Sequence, residues 1–85
     1  MQAIWKFTMQ CIDKQIITLP KNAKILCIQI QNEIPCMFVI NPNIEVLETK
    51  KRTFVTYGTG HQHKSINGIY IGTYQLYGLY HVFEI

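Results

Sequence analysis

The residues best equipped for chemistry lie together in positions 52–63, RTFVTYGTGHQH. The first half alternates β-branched and aromatic residues with a period of two, the pattern of a strand. It then breaks at Gly58 and Gly60 into a loop carrying His61 and His63. A strand ending in such a loop offers backbone N–H groups, the Thr59 hydroxyl and imidazoles at a sheet rim, with Arg52 at the start of the same strand. Two glycines separated by one residue let the backbone approach a ligand closely and can form an anion-receiving nest. Tyr57, beside them, supplies a ring for stacking. This equipment suits a polar or anionic ligand. A plain glycine-shaped β-turn with an exposed threonine would read the same way, and no helix follows, so neither a Walker loop nor a dinucleotide fingerprint applies.

Catalysis and metal binding find less support. His61 and His63 form an HxH pair, but zinc asks for three or four ligands. The other candidates, His81, Cys11, Cys27 and Cys36, are scattered along the chain. No metal or cofactor is expected, and His81, in the last predicted strand, reads as a hydrogen-bonded sheet histidine. The acids flank no plausible site as a pair. Ser65 lies near two histidines without an orienting acid or a nucleophile elbow. The residues point to binding rather than to an enzyme.

The elements that must position these residues are short strands. Residues 3–10 alternate, with Ala3, Trp5, Phe7 and Met9 as a core-facing stripe. Residues 14–19 give a second strand, stopped by Pro20 and Asn22. A third spans 24–31, with Leu26, Ile28 and Ile30 on one face. Asn32-Glu33 forms a two-residue hairpin connection, because asparagine tolerates the positive φ that such a turn requires. The fourth strand, 34–40, is apolar on both faces, so it is either central or covered by another subunit; Pro35 argues for an edge or terminal position at its start. Residues 44–49 read as one helical turn opened by Asn41 and Pro42, or as an irregular solvated connection. Strands follow over 51–57, 68–75 (Ile69, Ile71 and Thr73 on one face) and 80–85, the last pair joined by a turn at Tyr77-Gly78. The pattern predicts a single all-β domain over residues 1–85, a small antiparallel sandwich or partly open barrel of about seven strands.

Composition agrees. Hydrophobic residues make up 48% and charged residues 15% of the 85, which excludes disorder. A domain this short buries only about 60% of its unfolded surface, so an oligomeric contact would supplement its core. The formal charge of +3 is scattered and suits an anionic ligand weakly. No apolar run reaches the roughly 18 residues of a membrane span, no secretory signal pattern opens the chain, and three cysteines without CxxC spacing read as reduced thiols. An intracellular, membrane-free protein is expected.

The chain resembles, over nearly its whole length, a family of short phage-encoded proteins catalogued as a domain of unknown function. The resemblance rests on IWKF (Ile4 to Phe7), the LP and KNAKIL to IQIQN run (Leu19 to Asn32) and PCMF (Pro35 to Phe38). It continues through FVTYGTGH (Phe54 to His61), YIGTYQL (Tyr70 to Leu76) and HVFE (His81 to Glu84). That family is in turn similar to phage sponge proteins that counter bacterial cyclic-nucleotide (CBASS) defence. This anti-CBASS resemblance implies an oligomeric all-β protein in the cytoplasm of the infected host. It would sequester a cyclic dinucleotide such as cyclic GMP-AMP without cleaving it, in pockets near subunit contacts.

A cyclic dinucleotide carries two phosphates and two bases. Arg52 and Lys6 are the expected phosphate partners, the Gly58, Thr59 and Gly60 amides the donors, and Tyr57, His61 and Trp5 the stacking surface. Gln29 and Gln31 are candidates for reading base edges. A single-strand nucleic-acid binder would use the same aromatic and basic residues, and a protein-interaction or inhibitor module would use the apolar faces alone.

Overall fold

The computed structural model describes all 85 residues. The alternating segments become seven strands: β1 (Ala3–Thr8), β2 (Lys14–Pro20), β3 (Lys24–Gln31), β4 (Ile34–Asn41), β5 (Thr49–Gly58), β6 (Ile69–Gln75) and β7 (Leu79–Glu84). They pair antiparallel in two sheets, β1-β4-β3 and β2-β5-β7-β6. Between the sheets lie Ile28, Met37 and Val39 from the first and Ile17, Leu19, Phe54, Tyr74 and Val82 from the second, with Met9 and Ala23 from the connections. The sheets touch where β3 meets β6. There Gly72 leaves room for Ile28, whose side chain a Cβ at that position would approach to 3.4 Å. β1 and β2 remain free edges, so the architecture is a sandwich closed along one side.

Local chemistry explains the turns. Asn32 and Glu33 have φ of 51° and 64°, the left-handed pair that a two-residue type I′ hairpin needs. The Gln15 side chain accepts from the Gln10 N–H at 3.0 Å and donates to the Gln10 carbonyl at 2.8 Å, holding the β1–β2 connection. The 42–48 connection is irregular rather than helical. Asn41 and Asn43 side chains accept from the Asn43 and Glu45 amides, and these local bonds compete with a helical turn.

Three expectations about strand faces need correction. The register shifts between Ile25 and Cys27, so Ile25, not Leu26, joins Ile28 and Ile30 against the core; Leu26 is exposed. A second shift between Tyr70 and Gly72 turns Ile71 inward and leaves Ile69 and Thr73 out of the core. Each extra residue resets the two-residue period beyond it. Trp5 shares the inward parity of Phe7 but stays 42% exposed, because it lies on a free edge strand. Pro35 sits at the second position of a central strand, and its carbonyl still accepts from the Met9 N–H at 2.8 Å, just past the end of β1.

Two buried hydroxyls, Thr56 Oγ1 and Tyr74 Oη, have no hydrogen-bond partner. Burial first, and then the Cys11 thiol, a weak sulfur neighbour that does not satisfy the hydroxyl, push the Tyr74 ionisation above the ordinary tyrosine value of 10.0. A buried hydroxyl without a partner costs about 1 kcal/mol or more. Tyr74→Phe is therefore expected to raise the melting temperature by about 4–8 °C. It should also remove a loss of stability that the parent shows as pH climbs above about 10, where the unfolded tyrosine ionises and the folded one does not. Thermal melts at pH 7 and pH 10.5 check both; a lower melting temperature for the variant at pH 7 would refute the assignment.

Candidate ligand-binding site

The outer face of the four-stranded sheet carries the candidate site. On β5, Phe54 and Thr56 are buried, so the two-residue period puts Tyr57 outside. On β7, Val82 is fully buried and His81 and Phe83 lie outside. The bulge in β6 puts Tyr70 and Thr73 on that same outer face although they are three positions apart; Tyr70 pairs with Phe83 and Thr73 with His81. Phe83 is thereby flanked by Tyr57 and Tyr70, each with ring centroids 5.6 Å away, at 72° and 65°. His63 from the loop meets Tyr57 edge-on at 4.6 Å. These edge-to-face contacts suit ring quadrupoles and make an aromatic floor that crosses three strands.

A chain of polar side chains runs beside the floor. Tyr70 Oη lies 2.6 Å from Thr73 Oγ1, Thr73 Oγ1 lies 3.0 Å from His81 Nδ1, and His81 Nε2 lies 2.7 Å from Thr59 Oγ1. A neutral imidazole donates from one nitrogen and accepts at the other, so both of its tautomers satisfy the chain. With the proton on Nε2, the bonds run from Tyr70 to Thr73 to His81 to Thr59, leaving the Thr59 proton free to donate outward. With the proton on Nδ1 the direction reverses, and Tyr70 becomes the outward donor.

The loop after β5 closes the site. The Thr59 N–H extends the ladder to the Leu79 carbonyl at 3.0 Å, and the His61 N–H donates to the Gly58 carbonyl at 3.2 Å. Gly60 takes a φ of 85°, and its own amide makes no backbone hydrogen bond. A side chain at Gly58 would meet the His61 ring at 2.8 Å, so glycine lets the imidazole lie over the backbone. Gly68 returns the loop to the sheet at a φ of 102°, where a Cβ would collide with the Glu84 carbonyl oxygen. Between loop and floor, with Ile66 as part of the wall, is a cavity of about 320 Å³.

Five of the expected site residues, Tyr57, Gly58, Thr59, Gly60 and His61, line this one cavity. Arg52 does not. It lies five residues back along β5, about 17 Å at strand spacing, and its parity is that of Phe54, toward the core side. Its Nε and Nη2 donate to both Glu84 carboxylate oxygens at 2.6 and 2.7 Å, and its Nη1 donates to the Ala23 carbonyl at 2.6 Å. These bonds to Glu84 raise the Arg52 pKa above its ordinary value against the opposing effect of burial. Arg52 thus ties β5 to β7 and to the β2–β3 turn, beside a separate polar cleft that Lys50 and Lys51 also line. Trp5, Lys6 and Gln31 belong to the other sheet, where Lys6 Nζ donates to Gln31 Oε1 at 3.0 Å.

Sequence reasoning passed over Tyr70, Thr73 and Phe83 as site residues and left His63 without a role; His81 is the hydrogen-bonded sheet histidine expected, but it lines the cavity as well. The histidines were visible as residue types; their partners depend on register across two strands and a bulge. No group of three or more His, Cys, Asp or Glu side chains gathers to hold a metal ion.

A family model described as a domain of unknown function, DUF7352, matches residues 1–85. The chain belongs to this family. No curated protein and no solved structure matches it. Family membership spans the strand carrying Arg52 as well as the aromatic cavity, so the roles of these residues are separated by geometry alone.

With side chains only about one-fifth exposed, the Arg52–Glu84 pair is a structural clamp. Arg52→Ala is expected to cost about 2–3 kcal/mol, the range for a lost hydrogen-bonded charge, and to leave binding at the aromatic cavity unchanged. Urea denaturation and ligand titration separate the two effects. Unchanged stability with lost binding would return Arg52 to the site.

Proposed function

We propose that the protein is a non-catalytic nucleotide-binding domain. In this reading it is a phage-encoded sponge that withholds a cyclic dinucleotide signal from bacterial defence in the cytoplasm of the infected host. The observation that carries it is the aromatic floor Tyr57–Phe83–Tyr70 beside the hydrogen-bonding chain from Tyr70 to Thr59. A base has an apolar face and a polar edge, and this surface offers a match to each. The cavity of about 320 Å³ is at the lower end of the roughly 300–1,000 Å³ usual for small-molecule sites, so it suits one nucleotide half of such a ligand. His61 and Gly60, which line the cavity from the loop, are the groups that would meet phosphate. Binding rather than conversion is favoured because both ring nitrogens of His81 are engaged by threonine hydroxyls.

Native mass spectrometry with cyclic di- and trinucleotides and a short oligothymidine tests this reading, followed by titration of the retained ligand. The expected result is one intact cyclic nucleotide on each cavity. Tyr57→Ala should weaken it about 5- to 150-fold, the equivalent of the 1–3 kcal/mol carried by a base–aromatic stack. Thr73→Val should also weaken it, by cutting the polar chain without touching the floor. Affinity that grows with oligonucleotide length and falls steeply with salt would move the assignment to single-stranded nucleic acid. Recovery of a hydrolysed ligand would end the non-catalytic reading, and no binding across the panel would end the nucleotide reading altogether.

A further inference from the structure

The outer face of the three-stranded sheet has apolar side chains but nothing packed on it. On β4, Met37 and Val39 enter the core, so the strand's period turns Cys36, Phe38 and Ile40 to the outside. Register places Ile4 of β1 directly opposite Ile40, and Lys6 opposite Phe38. Lys6 and Gln31 reach toward each other over β4 and join at 3.0 Å; Cys36, at the crossing, is only 2% exposed. On either side of this clasp the surface is open. Ile4 is 64% and Ile34 45% exposed. Met1, whose carbonyl accepts from the Ile44 N–H, and Leu47 on the same connection are exposed as well.

The size of the uncovered surface points the same way. The molecule exposes 5920 Å², where a compact monomer of 9.9 kDa exposes about 5,200 Å². The difference, about 700 Å², belongs to the molecule as a whole and is comparable to the roughly 800 Å² that each partner gives to a standard protein interface. The shape accounts for it: extents of 42 × 29 × 15 Å describe a slab, and doubling its short dimension would make it more nearly globular. The rim carries both signs, with Lys24 on β3 and Glu45 on the adjoining connection. An isologous contact, in which one patch must complement itself, can use both.

We propose that two copies of this chain pair face to face through the outer side of the β1-β4-β3 sheet, with Ile4, Phe38 and Ile40 on one side of the Lys6–Gln31 clasp and Ile34 on the other forming the apolar part of the contact. The second copy covers the exposed face of β4, a strand apolar on both sides, and leaves the aromatic cavity on the opposite sheet open. The pairing stands without the nucleotide reading, and each can fail alone.

Sedimentation velocity of the full chain at micromolar concentration is the test. The parent is expected to sediment as a dimer. Ile4→Lys and Ile34→Lys should each raise the dimer dissociation constant at least about 10-fold while far-UV circular dichroism stays unchanged; two sites guard against one variant misfolding. Ile69→Lys, on the other sheet, should leave the dimer intact. Alkylation adds a second readout: Cys27, paired with Phe38, should react faster in Ile4→Lys than in the parent, while exposed Cys11 reacts equally in both. A monomeric parent would overturn the proposal. So would an assembly that survives both lysine variants, or one that only Ile69→Lys disrupts.

Discussion

The core is filled from one face of each sheet, and a chain of this length has no helix to lay over the other two faces. That constraint governs the rest of the molecule. Ten buried side chains, drawn from both sheets and two connections, form the interior, while the outward faces must either stay polar or find a partner outside the fold. Neither is uniformly polar. One carries an aromatic floor with a hydrogen-bonding chain, the other an apolar stripe with a lysine–glutamine clasp. Both surfaces follow from how a two-layer β domain disposes of its surplus apolar side chains.

The two bulges are as consequential as the strands. At β6 the extra residue puts Tyr70 and Thr73 on one face. In an unbroken strand, residues three apart would point to opposite faces and their 2.6 Å contact could not form. The same shift turns Ile71 toward the core and leaves glycine at position 72, where β3 approaches. At β3 the corresponding shift brings Ile25 and Ile28 to the interior together. The places where the sheets meet and where the polar chain is assembled are therefore set by the same local departures from regular pleating.

Arg52 illustrates how charge is used in such a fold. Its guanidinium satisfies both oxygens of one carboxylate and one turn carbonyl, so it fixes three segments in a single geometry. A fork of fixed donors suits this better than a lysine would. The cavity is lined instead by hydroxyls and imidazoles, whose donor and acceptor roles can reverse. Fixed charge holds the architecture, and adaptable polarity lines the cavity.

Much of this was readable in advance. Alternation located all seven strands, Asn32-Glu33 announced its hairpin, and the spacing of Gly58 and Gly60 marked the loop over the cavity. These are properties of neighbouring residues, and local sterics and hydrogen bonding decide them. The position of Arg52 relative to Tyr57, the partners of His81, and the separation of Trp5, Lys6 and Gln31 from the cavity were decided only by tertiary structure. Each depends on which strand lies beside which and in what register. Those pairings join residues far apart in the chain, and a single bulge reverses every face beyond it without leaving a distinctive residue to mark the spot.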